Sequence, residues 1–291
     1  MIIGVDLGNY AVKTSTKVNF MSKVTQEENF SCEDRIIFNG VPYFIGHGEF
    51  STEWVKSRKE NTLLLLFTAL YKSTKESVNQ VVVGLPAQQF KKDRYDLKQL
   101  IENNRCAEIN NKQFVIADIE VAPEGASAFY NIPYNVQKDV GSKQLVIIDI
   151  GGRTTDIIVL KNKKIVDVKT VPVGALNVYQ SVVDYINTKY TQSFLLEDGE
   201  TVLNEGLFLD GENKDISFVV PILKKHFNSI YKEVQLKVNL DVGYVFLTGG
   251  GSSMFKKAFK NRLKNLITSD NPCFDNAIGF EKVGEQLWQE K

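Results

Sequence analysis

One pattern is written twice in this chain. Residues 2–16, IIGVDLGNYAVKTST, and residues 145–159, LVIIDIGGRTTDIIV, both run through an apolar stretch, Asp, an apolar residue, Gly, a short turn and a returning strand. The two aspartates, Asp6 and Asp149, stand 143 residues apart in a chain of 291. A repeat of that period predicts an internal duplication, each half opening on an antiparallel hairpin. No Pro-, Gly- or Ser-rich linker separates the halves, so they are expected to pack closely around a cleft.

The patterning between the repeats is that of an α/β protein. Residues 2–7, 9–16 and 36–45 are β-branched and aromatic runs broken by Gly, Asn and Pro, which predicts antiparallel strands. Residues 54–73 read as a helix on Leu63, Leu66, Phe67 and Leu70. Residues 80–86 read as a buried strand stopped by Gly84 and Pro86, 93–103 as a helix, 114–121 as a strand and 123–130 as a helix. From 145 to 174 three strands are expected. Helices over 175–189 and 216–234 follow, with a mixed segment at 190–215, a strand at 244–247 and a helix after Gly251.

Composition excludes several classes. Thirty-five basic and 35 acidic residues cancel, so no global field draws the chain to nucleic acid or an anionic membrane. Lysine clusters at 161–164 and 256–264 read as solvated turns and helix faces. Cys32, Cys106 and Cys273 are scattered, without a CxxC pair, and His47 and His226 lie apart from them. Neither a disulfide framework, a zinc site nor a Ser-His-Asp triad has its material. The start, Met1 followed by IIGVDLG, shows no secretory signal, and the longest greasy stretch, 63–71, is too short to span a bilayer. A soluble, cytoplasmic protein is expected.

The repeated turns are the first candidates for chemistry. Glycine lets backbone N–H groups approach an anion, a nearby Lys neutralises it, and an Asp at the strand end can order magnesium-bound water. In the first turn these are Asp6, Gly8, Asn9 and Lys13; in the second, Asp149, Gly151, Gly152, Arg153, Thr154 and Thr155. A strand entering Gly249, Gly250 and Gly251 and then a Ser-led helix permits close approach of a flat or anionic ligand. Neither GxxxxGK[ST] nor GxGxxG is complete, so the phosphate site is neither a P-loop nor a Rossmann loop. Glu124, at the start of the expected 123–130 helix, reads either as a dipole-stabilising carboxylate or as the group that orients water for attack on a γ-phosphate.

The ordered set DLGNYAVK (6–13), EVAPEGASAF (120–129), DIGGRTTD (149–156), LTGGGSS (247–253) and DNAIGF (275–280) resembles the five nucleotide-site motifs of the actin, heat-shock chaperone and sugar kinase superfamily. VVVGLPAQQF (81–90), PEG (123–125), VPVGALNV (171–178) and the closing NAIGF look more narrowly like bacterial actin-like plasmid segregation proteins of the ParM (StbA) type. The resemblance implies an actin-like, ribonuclease H-like duplicated fold with reduced small subdomains, and ATP (or GTP) with magnesium in the cleft. Domain I would span 1–144 and 277–291, with a small subdomain near 29–80. Domain II would span 145–276, with a small subdomain near 190–215. The resemblance puts Asp6 and Asp149 in the magnesium shell, through water, and Gly8, Asn9, Gly151, Gly152 and residues 153–155 on phosphates. Lys13 would neutralise charge, Glu124 would position the hydrolytic water, and Gly249 to Gly251 would meet the nucleoside. Arg153 departs from the small residue many relatives carry, and reads as either a γ-phosphate contact or a salt bridge outside the site.

Only 92 residues separate Asp156 from Thr248, which leaves no room for the long insertions of kinases and chaperones. The expected function is a filament-forming ATPase whose self-association is timed by hydrolysis. The resemblance adds a plasmid cargo reached through a small DNA-binding adaptor, with no direct nucleic-acid or membrane contact. The alternatives on the same fold are a small-molecule kinase or phosphatase and a non-polymerising ATP switch.

Overall fold

In both copies of the repeat the first strand is apolar on both faces, as a strand covered from both sides must be. The computed structural model describes residues 1–28, 34–141 and 143–289. Cys32, the opening residues of the 29–80 span and the last two of the 277–291 span lie outside the described residues.

Nine strands make the first sheet: β1 (Ile2–Leu7), β2 (Ala11–Thr14), β3 (Asn19–Met21), β4 (Lys23–Thr25), β5 (Arg35–Phe38), β6 (Val41–Phe50), β7 (Val78–Leu85), β8 (Cys106–Ile109) and β9 (Lys112–Pro123). Their order is β3-β2-β1-β7-β9-β8-β5-β6-β4. Five make the second: β10 (Gln144–Ile150), β11 (Thr155–Lys161) and β12 (Lys164–Val171), then, after the small hairpin of β13 (Leu207–Leu209) and β14 (Glu212–Lys214), β15 (Tyr244–Thr248) and β16 (Leu266–Thr268). Their order is β12-β11-β10-β15-β16.

The duplication is therefore topological. In the first sheet β2 and β3 run antiparallel on one side of β1, while β7 and β9 run parallel on the other. The second sheet repeats this with β11 and β12 on one side of β10, and β15 and β16 on the other. Strands β8, β5, β6 and β4 extend only the first half.

The helices are α1 (Thr62–Ser73), α2 (Ala87–Glu102), α3 (Tyr134–Asp139), α4 (Ala175–Tyr190), α5 (Asp198–Glu205), α6 (Val219–Lys237), α7 (Ser252–Lys260) and α8 (Asp275–Trp288). The first sheet's core gathers Phe67, Leu70 and Phe114, and the second's gathers Ile148, Phe255 and Phe259. A third cluster of Ala128, Phe129, Ile147 and Phe246 seats the connection between the halves on the second sheet. No helix among the described residues is long and apolar enough to cross a membrane.

Two expected helices are corrected. The 54–73 helix starts only at Thr62; before it the chain makes a single 3-10 turn, Lys56–Arg58, because the apolar periodicity begins at Leu63. The 123–130 segment is not an α-helix: Pro123 ends β9, Gly125 turns the chain at φ +68°, and a 3-10 stretch covers Ser127–Asn131. The chain also folds α8, which returns to the first half.

Candidate nucleotide cleft

Strand pairing sets the site. Asp6 is the penultimate residue of β1, opposite Lys13 of β2, and Asp149 is the penultimate residue of β10, opposite Asp156 of β11. Asp149 also lies beside Thr248, the last residue of β15, so the triple-glycine turn leaves the sheet next to it. Both aspartates are nearly buried, at 7% and 6% exposure. A cavity of about 470 Å³ opens between the two hairpins.

Of the residues proposed from sequence, Asp6, Gly8, Asn9, Lys13, Glu124, Asp149, Gly151, Gly152, Arg153, Thr154 and Gly249 to Gly251 line this cavity. Thr155 does not. It is fully buried and its hydroxyl donates to the Val173 carbonyl, so it supports the second hairpin from beneath.

Close approach explains two of the glycines. A Cβ on Gly249, whose φ is +88°, would lie 2.2 Å from Asp149 Oδ1, and one on Gly152 would lie 2.8 Å from Tyr10 Cβ. The hairpins of the two halves thus touch at Gly152 and Tyr10. Asn276, near the start of α8, ties the rear together: its Nδ2 donates to Asp149 Oδ2 at 2.7 Å, and its Oδ1 accepts from Gly125 N–H at 2.8 Å.

The electrostatics are those of an acidic pocket short of positive charge. Asp6, Glu124, Asp149 and Asp156 share it with Lys13, 3.6 Å from Asp6, and with Lys56, which is 3% exposed. Lys56 Nζ donates to Glu124 and to the Gly84 carbonyl and lies 3.9 Å from Asp6 Oδ1. Burial pushes the Asp149 carboxyl up to about 8, against the Asn276 hydrogen bond and with repulsion from Asp156, Glu124 and Asp6. Burial likewise raises Asp156 to about 7, although the Thr170 hydroxyl donates to it. Glu124 is raised by burial and by Asp6, with Lys56 opposing. A hydrated divalent cation would relieve such a cluster. Among the described residues no three His, Cys, Asp or Glu side chains are grouped to ligate a metal directly.

Sequence reasoning missed Lys56, Tyr10, Asp156, Tyr179, Glu200 and Asn276 as cavity residues. Tyr10, Asp156 and Asn276 sit inside motifs already quoted, and Asp156 occupies the position of Lys13 in the repeat. Lys56 was hidden within an apparent helix. Tyr179 and Glu200 come from α4 and α5, where nothing local marks them. The Arg153 guanidinium forms no ion pair with a carboxylate among the described residues; it donates to the Ser51 carbonyl and lies 5.4 Å from the Trp54 ring centre.

The actin-like proteins N terminal domain family matches residues 4–126, and the archaeal actin homologue MreB-like C-terminal family matches 147–261. No curated protein sequence matches the chain. Among solved structures, the ADP complex of Ta0583, an archaeal actin homolog, is 18% identical, with a TM-score of 0.82 over 98% of this chain and 99% of that one. A 15-stranded ParM filament from Clostridium botulinum is 20% identical, with a TM-score of 0.82 over 98% and 99%. The filament of AlfA from B. subtilis plasmid pLS32 is 17% identical, with a TM-score of 0.64 over 99% and 98%.

Proposed function

The chain has an actin-like ATPase fold, with an actin-like family matched in each half, and from that premise we propose that it is a nucleotide-dependent, filament-forming ATPase that segregates plasmid DNA through a DNA-binding adaptor. The observation that carries this reading is the convergence of Asp6, Asp149 and Glu124 on one cavity between two duplicated hairpins. Domain I then comprises 1–144 with 277–291, and domain II 145–276. A chain with balanced charge leaves DNA binding to the adaptor.

The cleft residues divide the work. Gly8, Asn9, Gly151, Gly152 and Thr154 bound the space for the phosphate tail, Lys13 supplies positive charge, and Gly249 to Gly251 leave room for the nucleoside. Asp6 and Asp149 would hold a magnesium ion through its water shell, and the ion would neutralise phosphate charge and orient the tail. Glu124 accepts a proton from the attacking water. Its carboxyl is buried and raised by that burial, and Lys56 holds its orientation. Closure of the cleft around the nucleotide orders the faces that meet in a filament, so hydrolysis times disassembly.

The test is light scattering, pelleting and negative-stain microscopy after adding magnesium-ATP or magnesium-GTP across a series of protein concentrations. A critical concentration with visible filaments, and turnover rising faster than linearly with protein, is expected. Turnover linear in protein and stimulated by a small metabolite would replace this reading with a phosphotransferase.

A further inference from the structure

Residues 51–61 join β6 to α1 with no regular structure beyond the 3-10 turn Lys56–Arg58. This strap nevertheless reaches both hairpin turns. Ser51 and Trp54 receive Arg153 from the second half, Lys56 reaches Glu124, and Lys59 Nζ donates to Asn9 Oδ1 in the first hairpin.

Two of these cations rest on neutral acceptors. Among the described residues neither Lys59 nor Arg153 forms an ion pair with a carboxylate; one donates to a neutral amide oxygen and the other to a backbone carbonyl. The Lys59 ammonium is pushed down to about 8 by burial and by the positive charges of Lys56 and Arg153, with Glu124 and Glu53 opposing. Partly buried cations that repel one another, each resting on a neutral acceptor, form half of an anion site. A dianionic phosphoryl group offers several acceptor oxygens, enough for an ammonium from one side and a guanidinium from the other.

Resting on the reading of the cleft as a nucleotide site, we infer that Lys59 and Arg153 bind a terminal phosphoryl group, or inorganic phosphate once it is cleaved, and so fasten the 51–61 strap across the cleft. A diphosphate lacks that group and leaves the strap held by neutral acceptors and the Arg153–Trp54 contact. The strap thereby reports which nucleotide is bound.

Trp54 provides the readout, because Trp288 is the only other tryptophan in the chain. In a Trp288→Phe background, held below the concentration at which scattering rises, Trp54 emission is titrated with acrylamide in magnesium-ADP, ADP plus inorganic phosphate, or a non-hydrolysable triphosphate analogue. Better protection with the analogue than with ADP is expected. Protection by ADP plus phosphate as well identifies the released anion as a ligand; protection by the analogue alone identifies the attached phosphoryl group. Equal quenching with ADP and the analogue, while both bind, overturns the inference and leaves the nucleotide reading standing. If no nucleotide binds, the nucleotide reading itself falls.

Lys59→Gln and Arg153→Gln should each lower the ratio of triphosphate to diphosphate affinity roughly tenfold, the scale of one lost charge-assisted hydrogen bond. Arg153→Lys should recover part of that ratio. An unchanged ratio in both glutamine variants overturns the assignment. The Trp54 measurement decides the matter even where a cleft variant fails to fold.

Discussion

Asp149 shows how much of this protein's chemistry is decided by where one carboxylate is buried. Its neighbours include three other acids, and burial favours its protonated form. Asp149→Asn is isosteric with that form and keeps an oxygen for Asn276 Nδ2. Differential scanning of the nucleotide-free variant should show no loss of Tm, while the gain in nucleotide affinity that magnesium gives the wild type should disappear. An unaltered magnesium response would remove Asp149 from the metal shell. Glu124→Gln preserves shape but cannot take a proton from water, so phosphate release should slow by about 10²- to 10⁴-fold, the usual contribution of a general base. Nucleotide should still bind, and pelletable filaments should persist; phosphate release at the wild-type rate would exclude Glu124 as the base. Both acids were legible because the repeat and the PEG motif mark them. Lys56, which holds Glu124, was not, since a lysine just before an apolar helix looks like any solvated one until its turn is seen to fold inward over Gly84.

Among the elements, α8 is the one whose fit is least forgiving. It lies on the first sheet where a Cβ on Gly4 would come 2.0 Å from the Ala277 carbonyl oxygen, and its own Gly279 would place a Cβ 2.0 Å from the Ser127 carbonyl oxygen. Both clashes are with backbone, so a side-chain rotation cannot relieve them. Gly279→Ala should cost about 3 kcal/mol, at the upper end of ordinary overpacking, and a denaturant midpoint equal to wild type would contradict the packing. The same shift would draw Asn276 away from Asp149 and Gly125, so nucleotide affinity should fall with stability. The strands of the two repeats were legible because they are apolar on both faces and recur. The start of α1 was misplaced because the expected helix was begun upstream of the apolar period at Leu63, and the 3-10 stretch after Gly125 was not legible because the turn at Gly125 rather than an apolar period decides it. Helix α8 was visible only as the motif DNAIGF, since its apolar residues pack against glycines that no periodicity reveals.

For the whole molecule, the two halves are joined unequally. Behind the cleft, Ala128, Phe129, Ile147 and Phe246 pack together, and Asn276 links α8 to both Asp149 and Gly125. At the mouth the links across the halves include three polar ones: Lys23 Nζ meets Glu197 Oε1 at 2.7 Å, the Tyr10 hydroxyl donates to Glu200 beside its ring contact with Tyr179, and Arg153 donates to the Ser51 carbonyl. Ion pairs at partly exposed positions contribute only about 0–1 kcal/mol, whereas separating the apolar rear would expose buried side chains. The cheap motion is therefore hinged at the rear and opens the mouth, and these weak links make the closed state responsive to whatever fills the cleft. Combining Lys23→Ala with Tyr10→Phe removes two of these polar links and leaves the rear intact. Small-angle scattering should then give a larger radius of gyration than wild type without nucleotide, returning towards the wild-type value when a non-hydrolysable triphosphate is added. If closure arranges the assembly faces, the critical concentration of the double variant should rise as well. A variant as compact as wild type without nucleotide would show that the mouth contacts do not hold the cleft closed.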